Sequence, residues 1–140
     1  MIYEISELVN KEKYCLPFYS CAVTAGFPSP ADDHIKDKLD LNSYLVKRPS
    51  ATFFVRVTGE SMINAGIHDN DILIVDRSIE PRHGKIIIAA LDGQMTVKRL
   101  YRRSNKTILI PENKLFHSIE IFDSTDMVIW GVATNVIHSL

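Results

Sequence analysis

The 140-residue chain contains 46% hydrophobic and 24% charged residues, a composition typical of one globular domain and too short for two cores. Its 16 Lys and Arg against 17 Asp and Glu give a formal net charge of −1, so it lacks the positive field with which proteins neutralise nucleic-acid phosphates. We therefore expect no strong direct nucleic-acid binding, and any link to DNA would run through protein partners.

The first residues do not resemble a secretory signal. Glu4 stands where such a signal needs basic residues, and Lys11, Glu12 and Lys13 interrupt the segment before an apolar run develops. No later stretch approaches the roughly 20 apolar residues of a membrane span. The sequence thus predicts a cytoplasmic protein without a membrane partner.

Residues 1–30 show no sustained hydrophobic period. Pro17, Gly26, Pro28 and Pro30 interrupt helices and strand ladders alike. The pattern indicates an extended N-terminal arm.

The cysteines in it, Cys15 and Cys21, form no CxxC motif, and the five histidines of the chain follow no HExxH or HxH pattern. We expect neither a metal site nor a cofactor.

A short helix is predicted from Ser29 to near Asp40. Ser29 can cap it, Pro30 suits its first position, and Ile35 and Leu39 are four residues apart. A second helical turn is predicted before Pro49, at Leu41, Tyr44 and Leu45.

After Pro49 the pattern changes to short strands. Asp92-Gly93 is the strongest hairpin signal, because both central residues of a type I′ turn need positive φ. Strands at this spacing predict a mainly β fold, a compact barrel or folded sheet. We divide the chain into an arm with a short helical segment, residues 1–45, and a β domain, residues 46–140. The predicted strands are 52–57, 71–76, 85–91, 94–102, 107–110 and 127–137.

Ser61 is the candidate nucleophile. In Gly59-Glu60-Ser61-Met62 it lies just beyond a predicted strand, at a turn where its hydroxyl would be exposed and neighbouring N–H groups would be free. Serine in a turn also commonly makes only a local side-chain bond. The tetrapeptide alone therefore leaves both interpretations open.

Lys98 is the candidate base. Strand alternation places it on one face with Thr96 and Leu100, although the pattern does not say whether that face is buried. An unperturbed lysine titrates near about 10.4, and burial can depress this value by roughly 3 to 5 units. A neutral Lys98 could then take the Ser61 proton. A Ser/His/Asp arrangement with His68 or His83 has no support from spacing, and both are predicted to be solvated loop histidines.

Several motifs occur together in one order, and together they resemble UmuD and its plasmid-borne relatives within the wider LexA-like peptidase group. The resemblance covers nearly the whole chain from Gly26 onward. Its motifs are Cys21–Pro30, Gly59-Glu60-Ser61-Met62, Gly66-Ile67, Asp71–Asp76, His83-Gly84, Thr96–Leu100, Leu109–Asn113 and Trp130-Gly131-Val132.

The resemblance implies a compact LexA/UmuD-like β peptidase domain with a Ser/Lys dyad at Ser61 and Lys98, and self-cleavage between Ala25 and Gly26. It further implies a homodimer of the SOS response that cleaves itself on meeting the RecA filament on single-stranded DNA. The shortened form would join a UmuC-type Y-family DNA polymerase in translesion synthesis. We expect the backbone N–H groups of Ser61 and Glu60 to form the oxyanion hole.

Two other functions stay open. The chain could be a non-catalytic dimeric module that binds a polymerase, or a fragment of a LexA-like repressor. Repressors of this group carry a DNA-binding domain before the cleaved bond. Here the expected cleavage site is preceded by residues 1–25, which are too few for three packed helices. Signal peptidases resemble the same core but need a membrane anchor, which is not expected here.

Overall fold

The computed structural model describes residues 14–19, 23–26 and 35–140. By its internal contacts the chain divides into two compact units, Met1–Lys47 and Arg48–Leu140. Among the described residues, no helix combines the length and the apolar character that a membrane span requires.

The first unit contains a two-stranded antiparallel sheet. Strand β1 (Cys15–Tyr19) pairs with strand β2 (Ile35–Asp40), and Pro17 lies opposite Lys38. Helix α1 (Leu41–Leu45) follows β2 directly. A proline is compatible with such a strand because each strand of a two-stranded sheet has one unpaired edge, where a missing N–H costs no ladder bond.

The predicted helix from Ser29 to Asp40 is wrong over its described part, since Ile35–Asp40 is strand β2. A separation of four residues fits one face of a strand as well as one face of a helix, and pairing with β1 decides between them. The start of that helix lies outside the described residues. The helical turn predicted at Leu41, Tyr44 and Leu45 is confirmed.

The second unit is built on a seven-stranded antiparallel sheet of order β3-β4-β9-β5-β6-β7-β8. The last strand lies between β4 and β5 and so joins the two halves of the sheet. The predicted mainly β fold is confirmed. The strands are β3 (Thr52–Arg56), β4 (Ile72–Asp76), β5 (Ile86–Leu91), β6 (Gln94–Arg103), β7 (Lys106–Ile110), β8 (Ile119–Ile121) and β9 (Met127–Ile137), with 3-10 turns at Pro49–Ala51 and Ile63–Ala65.

The hairpin between β5 and β6 turns at Asp92 and Gly93, whose φ angles are 49° and 81°. Both are positive, as the type I′ prediction requires. Strand β8 is absent from the predicted set because three residues are too few to show a period.

Apolar side chains of the sheet form two clusters, one on each side of β5. Ile88 belongs to one cluster, with Val57, Met62 and Val75, and its neighbour Ile87 belongs to the other. Successive strand residues point to opposite faces, so the sheet around β5 is covered on both sides. Met62 is 1% exposed, which anchors the segment after Ser61 in the core.

Candidate active site

Ser61 lies in a turn between β3 and the 3-10 turn Ile63–Ala65. Gly59 enters this turn with φ +89°, a conformation that side chains rarely tolerate. Its backbone N–H donates a 2.7 Å hydrogen bond to Oδ1 of Asp69. Buried Met62 follows the serine directly. The turn is thus held on both sides of Ser61, and the serine hydroxyl has a defined position.

The segment after β7 fastens the same turn from another direction. The backbone N–H of Asn64 donates a 2.8 Å hydrogen bond to the backbone carbonyl of Glu112. Asn113 Nδ2 donates a 2.8 Å hydrogen bond to the backbone carbonyl of Glu60. The side chain of Glu112 in turn accepts Arg99 Nε at 2.6 Å. A loop far away in sequence therefore positions the residues around Ser61.

Lys98 reaches Ser61 from strand β6. Its Nζ lies 3.2 Å from Ser61 Oγ, 2.9 Å from Thr96 Oγ1 and 3.1 Å from the carbonyl of Val97. Within residues 48–140, Lys98 is the one side chain at hydrogen-bonding distance of the Ser61 hydroxyl. The contact with Thr96 follows from their shared strand face.

Burial lowers the pKa of Lys98 from its ordinary value of 10.5, because removal from water disfavours the ammonium form. No carboxylate of the second unit forms an ion pair with this lysine. An ion pair would have stabilised the charge and opposed the shift. At a given pH, a larger fraction of Lys98 than of an exposed lysine is therefore the neutral amine, the form that can accept a proton.

Ser61 and Lys98 line a cleft of about 360 Å³. The wall is completed by residues of β3, of the segment that follows it, and of β5 and β6, among them Val55, Arg56, Thr58, Ile88, Met95 and Thr96. A cleft of this size and mixed lining is typical of a ligand site. It can accept a short stretch of extended chain beside the serine hydroxyl.

The other predicted site residues are placed as follows. Within residues 35–140, the backbone N–H groups of Glu60 and Ser61 donate no hydrogen bond to a protein oxygen, so both are available to an oxyanion. Ala25 and Gly26 belong to the first unit and are exposed. The predicted cleavage segment is thus accessible to solvent.

The histidines of the competing triad do not contact Ser61. His83 is exposed and its ring packs against Tyr101. The prediction that His68 is a solvated loop histidine agrees with its side chain, which is 45% exposed and whose Nδ1 lies 3.7 Å from Oδ2 of buried Asp71.

Three positioning residues escaped the sequence analysis: Asp69, Asn113 and, as a partner of the lysine, Thr96. Thr96 left a signal, since it lies two residues from Lys98 on the same strand face, and Asn113 lies in the Leu109–Asn113 motif, from which no role was inferred. Asp69 and Asn113 act through contacts between loops, and no periodicity records such contacts.

The family model described as Peptidase S24-like matches residues 17–134. Protein ImpA of Escherichia coli is 44% identical over 128 residues, which are 91% of this chain and 86% of that protein. Protein MucA of Escherichia coli is 46% identical over 128 residues, 91% of this chain and 85% of that protein. The LexA repressor of Ectopseudomonas mendocina (strain ymp) is 40% identical over 117 residues, 83% of this chain and 57% of that protein. The predicted resemblance to the UmuD type is confirmed, and the chain belongs to the Peptidase S24-like family.

Proposed function

We propose that the chain is a self-cleaving serine endopeptidase that cuts its own Ala25-Gly26 bond with a Ser61/Lys98 dyad. The observation that carries the proposal is the 3.2 Å separation between Lys98 Nζ and Ser61 Oγ at the wall of a cleft. Membership of a peptidase family supports the same reaction class.

The surroundings of Lys98 suit a neutral amine. A neutral amine has two N–H donors and one lone pair. Thr96 Oγ1 and the carbonyl of Val97 can accept the two N–H groups, which leaves the lone pair for the hydroxyl proton of Ser61. The lysine is then oriented as a general base before the substrate arrives.

The reaction follows acyl transfer. Lys98 takes the proton of Ser61 as its Oγ attacks the carbonyl carbon of Ala25, and the N–H groups of Glu60 and Ser61 stabilise the oxyanion. The Lys98 ammonium then gives its proton to the departing amine of Gly26, and the C–N bond breaks. A water molecule, deprotonated by Lys98, attacks the acyl carbon, the bond from that carbon to Ser61 Oγ breaks, and the Lys98 ammonium returns the proton to Oγ as the Ala25 carboxylate leaves.

The cleavage segment suits close approach to a nucleophile. Ala25 has a small side chain, and a Cβ atom added at Gly26 would meet nothing within 4 Å. Residues 23–26 are exposed. Because the bond belongs to the same chain, the rate depends on positioning rather than on encounter.

We further propose that the protein acts as a homodimer in the SOS response. The RecA filament on single-stranded DNA would favour the conformation in which the cleavage segment occupies the cleft, which is a shift of population and not a donation of catalytic groups. The shortened form would then act as an accessory subunit of a UmuC-type Y-family polymerase. The likeness to the UmuD type supports this role.

The test is intact-mass spectrometry of the purified chain incubated over a range of alkaline pH without RecA. We expect two fragments that meet at Ala25-Gly26 in the wild type, and none from Ser61→Ala or Lys98→Ala. A wild-type chain that stays intact at every pH would identify a non-catalytic interaction module instead. Cleavage in Ser61→Ala would refute the nucleophile assignment.

A further inference from the structure

A second cluster of polar side chains lies outside the cleft, and none of its members lines that cavity. It consists of His68, Asp71 and His138. Strand register brings them together, since Ile72 pairs with Ile137 and the residues flanking this pair are Asp71 and His138. The absence of HExxH and HxH motifs led us to expect no metal site. Such short motifs cannot detect the contact between Asp71 and His138, which are 67 residues apart.

Asp71 is the centre of the cluster and is 3% exposed. Its Oδ2 accepts the backbone N–H of His68 at 2.7 Å, and its Oδ1 lies 2.6 Å from Nδ1 of His138. The cluster thus contains a buried carboxyl group that contacts both histidines.

His68 Nδ1 is the unexplained atom. It is buried and has no hydrogen-bond partner among the described residues. The nearest oxygen of Asp71 is 3.7 Å away, too far for a hydrogen bond. A buried polar atom without a partner is costly. Its position beside a carboxylate suggests a bridging group of positive charge.

We propose that His68, Asp71 and His138 bind a first-row divalent cation, preferably Zn²⁺. Each histidine would supply one imidazole nitrogen, and Asp71 would supply one carboxylate oxygen. These are ligand types that zinc prefers, and three protein ligands leave a fourth position for water. The three ligand atoms lie within 4.8 Å of one another. Tetrahedral zinc with bonds of about 2.0 to 2.1 Å places ligands roughly 3.4 Å apart, so the ligand atoms would have to shift on binding, which the 43% exposed side chain of His138 permits.

Such a cation would fasten the end of β9 to the start of β4. It would also fix the loop that carries Asp69, the acceptor of the Gly59 N–H beside the nucleophile turn. Because only the folded chain assembles these ligands, the cation would stabilise the native state by mass action.

The test uses the full-length Ser61→Ala chain, which lacks the proposed nucleophile and whose intact mass is checked before and after each titration. Co²⁺ replaces zinc at such sites and is visible. We expect d–d bands more intense than those of the aqueous ion, saturating at one Co²⁺ per chain and abolished by Zn²⁺. His68→Ala and His138→Ala should each weaken binding by more than roughly tenfold, since loss of even an outer-shell partner costs 10- to 100-fold in affinity.

His117→Ala is the matched control, because His117 is exposed, and it should bind Co²⁺ like the parent chain. Zn²⁺ should also raise the melting temperature of the parent and of His117→Ala but not of His138→Ala. Bands no stronger than those of aqueous Co²⁺, or bands that persist in both cluster variants, would overturn the proposal. Circular dichroism of each metal-free variant separates loss of binding from loss of folding.

Discussion

The side-chain amide of Asn113 donates a 2.8 Å hydrogen bond to the carbonyl of Glu60, the residue immediately before Ser61. This bond orients the peptide that links Glu60 to Ser61, and the N–H of that peptide is a proposed oxyanion donor. We predict that Asn113→Ala lowers the rate of self-cleavage by about 10- to 100-fold, because small misplacements of reacting groups cost this much. Densitometry of cleavage over time at fixed pH measures the effect.

Asn135→Ala is the control for this variant, since Asn135 is an exposed residue of β9. Its cleavage rate should equal that of the wild type. Asn113→Ala should keep the pH dependence of the wild type, because Lys98 is unchanged. An unaltered rate in Asn113→Ala would show that the nucleophile turn holds its shape without this bond.

The burial of Lys98 predicts the pH dependence of cleavage. Below the pKa of this lysine the ammonium form dominates, and the rate should rise about tenfold per pH unit as the amine loses its proton. The rise should level off below pH 10.5, because burial lowers the pKa from that value. Initial rates of cleavage between neutral and alkaline pH give the profile.

The matched comparison is Lys98→Arg, which keeps the positive charge but cannot lose its proton in this range. It should be inactive across the profile. A bell centred near neutral pH, or activity in Lys98→Arg, would indicate that another group is the base.

Thr96 tests the orientation of the amine. Its hydroxyl lies 2.9 Å from Lys98 Nζ, and Thr96→Val removes it while keeping the shape of the side chain. We predict a cleavage rate lowered by about tenfold, the lower end of the cost of misplacing a catalytic group, and recovery in Thr96→Ser. Thr107→Val on strand β7 is the control and should cleave at the wild-type rate. Equal rates for all four proteins would remove Thr96 from the site.

A substitution at Gly131 should affect the stability of the fold and not the reaction. A Cβ atom at this position of β9 would lie 2.7 Å from Val75 Cγ1 and 3.1 Å from the carbonyl oxygen of Asp76. Val75 is fully buried and has no space to withdraw, so Gly131→Ala should lower the free energy of unfolding by roughly 1 to 3 kcal/mol, as overpacking does. Urea denaturation in the Ser61→Ala background measures it. Gly26→Ala, which meets nothing within 4 Å, should unfold like the parent.

Much of the second unit could be predicted because its strands carry their own signals. The β-branched runs that begin at Ile72 and Ile86 and the Asp92-Gly93 turn appear in the sequence as they do in the fold. Ile35–Asp40 carries no comparable signal. Its conformation depends on pairing with β1, a contact between distant residues that no local pattern contains.

The same distinction applies to the site. The sequence resemblance brought Ser61 and Lys98 to attention, but their 3.2 Å separation depends on the register of β6 with β5 and on the turn after β3. The bonds that fix the turn, from Asn113 and Asp69, join loops separated by 53 and 10 residues. Such contacts follow from tertiary packing and require the structure.

The final prediction concerns the effect of the cut on the first unit. Cleavage after Ala25 separates β1 from β2, because β1 ends at Tyr19 and β2 begins at Ile35. If β1 leaves with its fragment, the backbone of Ile35–Asp40 loses its pairing partner. An unpaired strand edge is a template on which another protein can add a strand. We therefore predict that the 26–140 fragment binds a UmuC-type polymerase more tightly than the uncut chain does.

The comparison requires two proteins that differ only in the arm: the full chain with Ser61→Ala and the 26–140 fragment with the same substitution. Titration calorimetry or surface-immobilised polymerase gives both affinities. We expect the fragment to bind at least about tenfold more tightly, a gain of roughly 1.4 kcal/mol, and we expect added peptide 1–25 to reduce this gain by competing for the β2 edge. Equal affinities would mean that the arm does not gate the partner surface. A gain that the peptide cannot reverse would place the polymerase contact elsewhere than on β2.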